Sequence, residues 1–173
     1  MRRLIIFALL FVGLHPATGQ DSWVAFRDPN GQFIVQMPST PNVSNNIVRS
    51  QKGLLTPMVS YSSDRNKPWG LMITVGDFTN RTDNEDFGNA VDSAASGNVQ
   101  RAARVDVNRS SQLDGQVGRV VVFADGQGRN FESRIYFVRG RLYQIMSILE
   151  PSPSAEQIAA KQRFFETFHF LKP

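Results

Sequence analysis

Three apolar runs within residues 116–149 constrain the fold more than any other part of the sequence. The runs are Val120–Phe123, Ile135–Val138 and Tyr143–Leu149. They are rich in β-branched and aromatic residues, which favour strands. None alternates cleanly, so neighbours such as Ile135 and Tyr136 must point to opposite faces of a sheet. A sheet that is apolar on both faces needs cover on both, so this stretch predicts the central strands of an antiparallel sheet packed between other elements.

Turn residues between the runs predict how the strands pair. Asp114-Gly115 and Arg139-Gly140 read as two-residue hairpin turns. The predicted cross-strand pairs are Leu113 with Gln116, Val138 with Arg141, Phe137 with Leu142, and Tyr136 with Tyr143. The Gly-rich stretch Asp125–Asn130 also joins two strands. A phosphate-binding loop would have to open a helix, so we interpret this stretch as a hairpin turn.

The residues before this region predict more strands. Two short strands, Trp23–Arg27 and Phe33–Met37, flank the turn Asp28-Pro29-Asn30-Gly31. Segments Val43–Gln51 and Leu54–Ser62 form a hairpin around Lys52-Gly53. Its first strand is too polar for a core and its second contains Pro57, so we place the hairpin at the sheet edge or folded partly off it. Further strands are predicted at Trp69–Phe78 and Arg104–Leu113.

Two helices complete the α+β pattern. The first follows a capping box, Thr82 to Glu85. Its apolar stripe comprises Phe87, Ala90, Val91, Ala94 and Ala95 and ends at Asn98. The second follows a capping box from Ser154 to Gln157. Its aromatic-rich face comprises Ile158, Ala160, Phe164, Phe165 and Phe168, and Phe168–Leu171 is predicted as a short closing strand.

The N-terminus has the pattern of a secretory signal peptide. Arg2 and Arg3 precede an apolar run, Leu4–Leu14, and small residues at Ala17 and Gly19 fit a cleavage site. Cleavage after Gly19 would leave one domain, residues 20–173, with no transmembrane span. That domain has 17 basic and 15 acidic side chains, too small an excess to indicate nucleic acid. The absence of cysteine excludes disulfides, thiolate metal sites and cysteine nucleophiles.

Several short motifs resemble those of exported bacterial proteins of the PsbP-like class. They are Trp23, Phe26, Gly31, Phe33, Val35, Met37-Pro38 and Pro41, then Gly140–Gln144 (GRLYQ), then Phe164–Phe168 (FFETF). The class takes its name from an extrinsic lumenal subunit of photosystem II and shares its fold with a nuclear-import factor that binds Ran. The resemblance implies an antiparallel sheet sandwiched between helices. Its members are assembly factors, binding modules or accessory subunits. No photosystem-binding motif is present, so the resemblance assigns no functional residue.

Candidate chemical groups mostly favour structural interpretations. His169, the only histidine outside the signal peptide, fits the solvent side of an edge strand. The acidic group Asp83, Glu85, Asp86 and Asp92 fits the first turns of a helix rather than a cation loop. Arg129 and the pair Arg139 and Arg141 belong to turns at opposite ends of one strand. The sequence predicts no catalytic residue, metal ligand or cofactor.

Three residues are candidate contacts with a partner: Trp69, Arg139 and Arg141. For Trp69 the alternative is packing in the core or at its rim, and for the arginines it is a solvated turn. The favoured function is a non-catalytic exported module, periplasmic or secreted, that binds a partner protein, an envelope component or a small ligand. The alternative is a small hydrolase that uses paired carboxylates. A pocket with two converging carboxylates would favour the hydrolase, and an exposed apolar patch would favour binding.

Overall fold

A seven-stranded antiparallel sheet forms the centre of the molecule, with a three-stranded sheet packed on one face. The computed structural model describes residues 23–49, 55–63, 67–79 and 89–172. The strands are β1 (Val24–Arg27), β2 (Phe33–Met37), β3 (Asn42–Arg49), β4 (Leu55–Ser62), β5 (Gly70–Asp77), β6 (Arg104–Leu113), β7 (Gln116–Ala124), β8 (Asn130–Val138), β9 (Arg141–Leu149) and β10 (His169–Phe170). The helices are α1 (Ala90–Arg101) and α2 (Ala155–Thr167).

Strand order explains why residues 116–149 have no polar face. The large sheet runs β3-β4-β5-β9-β8-β7-β6, and the small one β1-β2-β10. Strands β7, β8 and β9 are therefore internal, as the apolar runs predict. Helix α1 packs on β7 and β8, and α2 packs on β2 and β9. The predicted α+β fold, an antiparallel sheet between helices, is confirmed.

Each face of the sheet has its own core. The larger core lies under α2 and the small sheet and contains Phe33, Tyr136 and Tyr143, which are 0–1% exposed. The smaller lies under α1 and contains Val121 and Ile135, both fully buried. Ile135 and Tyr136 thus pack in different cores, as their strand positions require.

The predicted hairpin registers are confirmed at both two-residue turns. Leu113 pairs with Gln116, and Val138 pairs with Arg141. Asp114 and Arg139 have φ values of 50° and 51°, and each is followed by a glycine at positive φ. This backbone shape matches the right-handed twist of the flanking strands, so the loop length fixes the register.

Helix α2 begins where the sequence predicts, and its buried face is mostly the predicted one. Helix α2 has Ser154 as its N-cap, and the Ser154 hydroxyl accepts a hydrogen bond from the Gln157 backbone N–H at 3.2 Å. Its predicted apolar face needs one correction, because Ile158 is 41% exposed while Gln157 is buried. The Gln157 side chain is accommodated there because its amide donates to the Glu150 carboxylate.

Helix α1 has Asn89 at its N-cap position and begins at Ala90 in the described residues. Thr82 and Glu85, the predicted capping box, lie outside the described residues, as do Asp83, Asp86 and the signal peptide. Ala95 is 2% exposed against the sheet, with Val91 and Ala94 beside it. No helix in the described part of the chain is long and apolar enough to cross a bilayer.

Candidate functional site

Apolar side chains are exposed on the outer hairpin of the large sheet. Strand β3 is an edge strand, as predicted from its polar sequence, and pairs only with β4 in the described residues. Its register sets Val43 opposite Tyr61 and Ile47 opposite Pro57. Directly opposed residues lie on the same face of a sheet. Five apolar side chains therefore share one face and form what we call the hairpin patch: Val43, Ile47, Leu55, Pro57 and Val59.

Exposure distinguishes the hairpin patch from the rest of the surface. Ile47 is 68% exposed, Val43 56% and Leu55 54%. Three of the seven large hydrophobic side chains that are exposed in the described residues belong to the hairpin patch, and a fourth, Val48, lies on the opposite face of the same hairpin. Apolar side chains that gather on one exposed face are typical of an interaction surface.

A small cavity adjoins the hairpin patch where β4 and β5 meet the turn between β1 and β2. It has a volume of about 130 Å³. Its lining comprises Pro57, Val59, Tyr61, Val75, Asp28, Asn30, Gln32, Asp77 and Arg141. Pro57 and Val59 belong to both the cavity and the hairpin patch, so the two features form one continuous surface.

Asp28 places a buried carboxylate at this cavity. It begins the Asp-Pro-Asn-Gly turn and is only 5% exposed. The Tyr61 hydroxyl donates to its Oδ1 at 2.9 Å, and the Gln32 backbone N–H donates to its Oδ2 at 3.2 Å. Burial is the larger cause, and the hydrogen bond to Asp28 the next, of a pKa of Tyr61 far above its ordinary value. The Tyr61 hydroxyl therefore stays protonated and donates a hydrogen bond to Asp28.

The second carboxylate of the cavity, Asp77, is balanced by the positive charge of Arg141. The Arg141 guanidinium lies 3.2 Å from Asp77 Oδ2, and Thr79 donates to Asp77 Oδ1 through its backbone N–H and its hydroxyl. Partial burial acts to raise the pKa of Asp77, but the bonds from Thr79 and Arg141 outweigh it and hold the pKa below its ordinary value. The cavity therefore carries two carboxylates and one guanidinium, an excess of one negative charge.

The predicted contact residues lie in different places. Arg141 lines the cavity, whereas Arg139 does not line it and donates to the Leu171 carbonyl at 3.1 Å. Trp69 is 9% exposed in the larger core, which matches the core-or-rim alternative, and Lys67 lies 5.1 Å above its ring. Arg129 lies before β8 and Arg139 after it, so they are apart, as predicted.

His169 lies on the solvent side of β10, an edge strand of the small sheet, as predicted. Its Nδ1 is 3.3 Å from Asp114 Oδ1, and its side chain is 54% exposed. Asp92 pairs with Arg119 at 2.7 Å. Within the described residues, no three histidine or acidic side chains come together as a metal site would require.

Sequence reasoning missed Asp28, Asp77 and the hairpin patch. Asp28 and Tyr61 are 33 residues apart, so no local pattern joins them. The hairpin patch had a weak signal, since Val43 and Ile47 lie on one face of a strand that is otherwise polar.

No protein-family model matches the sequence, and no curated protein gives a match. Among solved structures, the chain is similar to the solution structure of cyanobacterial PsbP (CyanoP) from Synechocystis sp. PCC 6803. The similarity covers 92% of this chain and 99% of that one, with a TM-score of 0.53 and 15% identity. The chain has the PsbP-like fold. The fold that the sequence resemblance predicted is therefore confirmed.

Proposed function

We propose that this protein is an exported, non-catalytic accessory module of the cell envelope that binds a partner protein through the hairpin patch. A basic side chain of the partner enters the adjoining cavity. The observation that carries the proposal is the exposure of Val43, Ile47 and Leu55 on one face of an edge hairpin. The signal-peptide pattern and the PsbP-like fold support export and an accessory role.

Exposed apolar area supports binding because it is unfavourable in a monomer. Each Å² of apolar surface removed from water contributes about 25 cal/mol. Covering Val43, Ile47 and Leu55 would therefore favour association. The outer edge of β3 adds main-chain donors and acceptors to which an extended partner segment can hydrogen-bond.

The cavity supports a basic residue in the partner. Its excess negative charge arises because Arg141 pairs with Asp77, while the described residues form no ion pair with Asp28. A lysine or arginine of the partner would supply the opposite charge at a carboxylate that is already held in place by Tyr61 and Gln32. Charge-assisted hydrogen bonds of this kind are stronger than those between neutral groups.

Site-specific photo-crosslinking in the envelope fraction of the native host tests the proposal. A photoreactive amino acid at position 47 is compared with one at position 117, because Val117 is similarly exposed, at 73%, but lies away from the hairpin. We expect position 47 to give a discrete cross-linked protein, identified by mass spectrometry, that position 117 does not give.

Competition then assigns the contact to the hairpin patch. Excess unlabelled protein should abolish the cross-link, and so should the V117D variant, whereas the I47D variant should fail to compete. D28N should compete at least about tenfold less well, because it removes the charge that faces the basic side chain. Equal competition by I47D and the unsubstituted protein would overturn the proposal.

A further inference from the structure

A second cavity lies on the opposite face of the sheet, beside the C-terminal half of α1. Its volume is about 370 Å³, within the usual range for small-molecule sites. Helix α1 packs on β7 and β8, and the cavity extends from there over Met146 of β9 and Met72 of β5. The hairpin patch is on the other face, so the two sites are independent.

The walls of this cavity are apolar and adaptable. Met72 and Met146 are directly opposite each other on neighbouring strands. The rings of Phe123 and Phe131 stack beside them, with centroids 4.7 Å apart and an interplanar angle of 7°. Methionine side chains adjust to the shape of a ligand, and the Phe131 ring, which also lies 5.6 Å from the Arg129 guanidinium, adds a rigid aromatic wall. This combination fits a flat apolar molecule.

A polar network fixes the floor. The Gln144 side-chain amide donates to Ser133 Oγ at 3.0 Å and to Asn98 Oδ1 at 3.2 Å. Asn98 also donates to Ser133 Oγ at 3.1 Å, and Ser133 is fully buried. These bonds hold the Gln144 amide in one orientation, and its carbonyl oxygen accepts no hydrogen bond from the described residues.

One positive charge at the cavity is available to a ligand. Arg129 pairs with Asp125 at 2.7 Å, and burial of the Asp125 carboxyl is outweighed by hydrogen bonds from Arg129 and Gln127, which hold its pKa below the ordinary value. Arg101, in the last turn of α1, also lines the cavity and forms no ion pair within the described residues. The cavity therefore has an excess positive charge at Arg101.

We propose that this cavity binds a small, flat, apolar molecule that carries a carboxylate. The apolar part lies between the two methionines and the stacked phenylalanines, and the carboxylate pairs with Arg101. A neutral molecule would leave the Arg101 guanidinium without a partner. A phosphate-rich ligand would require more cations than the one that Arg101 supplies.

Methyl-resolved NMR of the mature protein tests this with two probes of the same shape. The probes are 2-naphthoate, which is anionic, and 2-naphthamide, which is neutral. With labelled methionine methyl groups, naphthoate should shift Met72 and Met146 but not Met37, which is fully buried in the other core. Naphthoate should bind about fivefold more tightly than naphthamide, as expected for one partly exposed ion pair.

Two arginine variants identify the charge that is read. R101Q should bring the affinity for naphthoate down to that for naphthamide. The control variant is R109Q, because Arg109 is an exposed arginine on β6, and it should leave the affinities for both probes unchanged. Unchanged Met37 shifts will show that both variants are folded. No shift at Met72 and Met146 with either probe would overturn the proposal. Equal affinity for the two probes, or an unchanged preference in R101Q, would also overturn it.

Discussion

Gly118 of β7 lies where the ring of a neighbouring strand crosses the backbone. A Cβ at this position would collide with the Ile135 carbonyl oxygen and with the ring of Tyr136, its cross-strand partner. The Ile135 oxygen belongs to the backbone of a central strand, so it has no freedom to move aside. Only glycine fits, and the aromatic ring covers the space that a side chain would otherwise fill.

G118A should therefore destabilise the protein by about 2 kcal/mol or more, the cost of overpacking a core. The matched control is G97A, because a Cβ at Gly97 in α1 meets nothing within 4 Å. G97A should stabilise the protein by up to about 1 kcal/mol, since alanine is the better helix former. Urea unfolding of the two variants measures both effects. Equal free energies of unfolding would contradict the packing described for β7.

Tyr143 should limit stability at alkaline pH. Burial raises the pKa of Tyr143 to about 12, while in the unfolded chain it is about 10. The unfolded state therefore loses this proton first. The stabilisation is fully present below about pH 10 and is lost as the pH rises toward 12. Y143F should lose less free energy of unfolding over this interval than the unsubstituted protein, as measured in urea. Full tyrosinate absorbance from the folded protein at about pH 10 would contradict the assignment.

Short-range chemistry decided the elements that the sequence predicted well. Asp114-Gly115 and Arg139-Gly140 are each sufficient to specify a two-residue turn, and the turn fixes the register of the two strands that it joins. The exposure of Ile158 could not be predicted, because it depends on a tertiary contact of its neighbour on α2. The Gln157 side chain donates to Glu150, which precedes the helix, and so takes the buried position instead of Ile158. The cavity beside the hairpin patch joins Asp28, Tyr61 and Asp77, which only the folded sheet brings together.

Helix α1 should depend on one small buried side chain. Ala95 is 2% exposed against the sheet, whereas its neighbour Ser96 is exposed. A95D would bury an unpaired charge and should cost more than about 2 kcal/mol. S96D places the same charge in solvent and should change the free energy of unfolding by less than about 0.5 kcal/mol. Similar urea midpoints for the two variants would show that α1 is not packed as described.

Export belongs to the whole chain. Because Arg2 and Arg3, the run Leu4–Leu14 and the small residues Ala17 and Gly19 occur in the order of a signal peptide, we expect the mature N-terminus to be Gln20. N-terminal sequencing or intact mass of protein from its native host measures this, with allowance for cyclisation of Gln20. A mature protein that retains Met1 would contradict export by this route.

We also expect the domain to have no hydrolytic activity of its own, because of the nucleophiles and bases that it contains. The chain has no cysteine, and the described contacts of His169 include Asp114 but no serine hydroxyl. Lys161, a candidate base for a serine, lies 3.2 Å from Glu132. Asp28 and Asp77 do share a cavity, which is the feature that would favour a hydrolase.

A carboxylate-pair hydrolase, however, needs both carboxyl groups to act on the substrate, one as acid and one as base or nucleophile. The Asp77 oxygens already accept hydrogen bonds from Thr79 and Arg141, and those of Asp28 accept from the Tyr61 hydroxyl and the Gln32 backbone N–H. We therefore expect no turnover of ester, phosphate, peptide or glycoside reporters by the purified domain. Turnover that disappears in both D28N and D77N, with unchanged circular dichroism, would show that the cavity is an active site. The binding proposal instead predicts that the unsubstituted domain shows no turnover and that D28N competes less well for the partner. The two functions therefore give different results with the same variant.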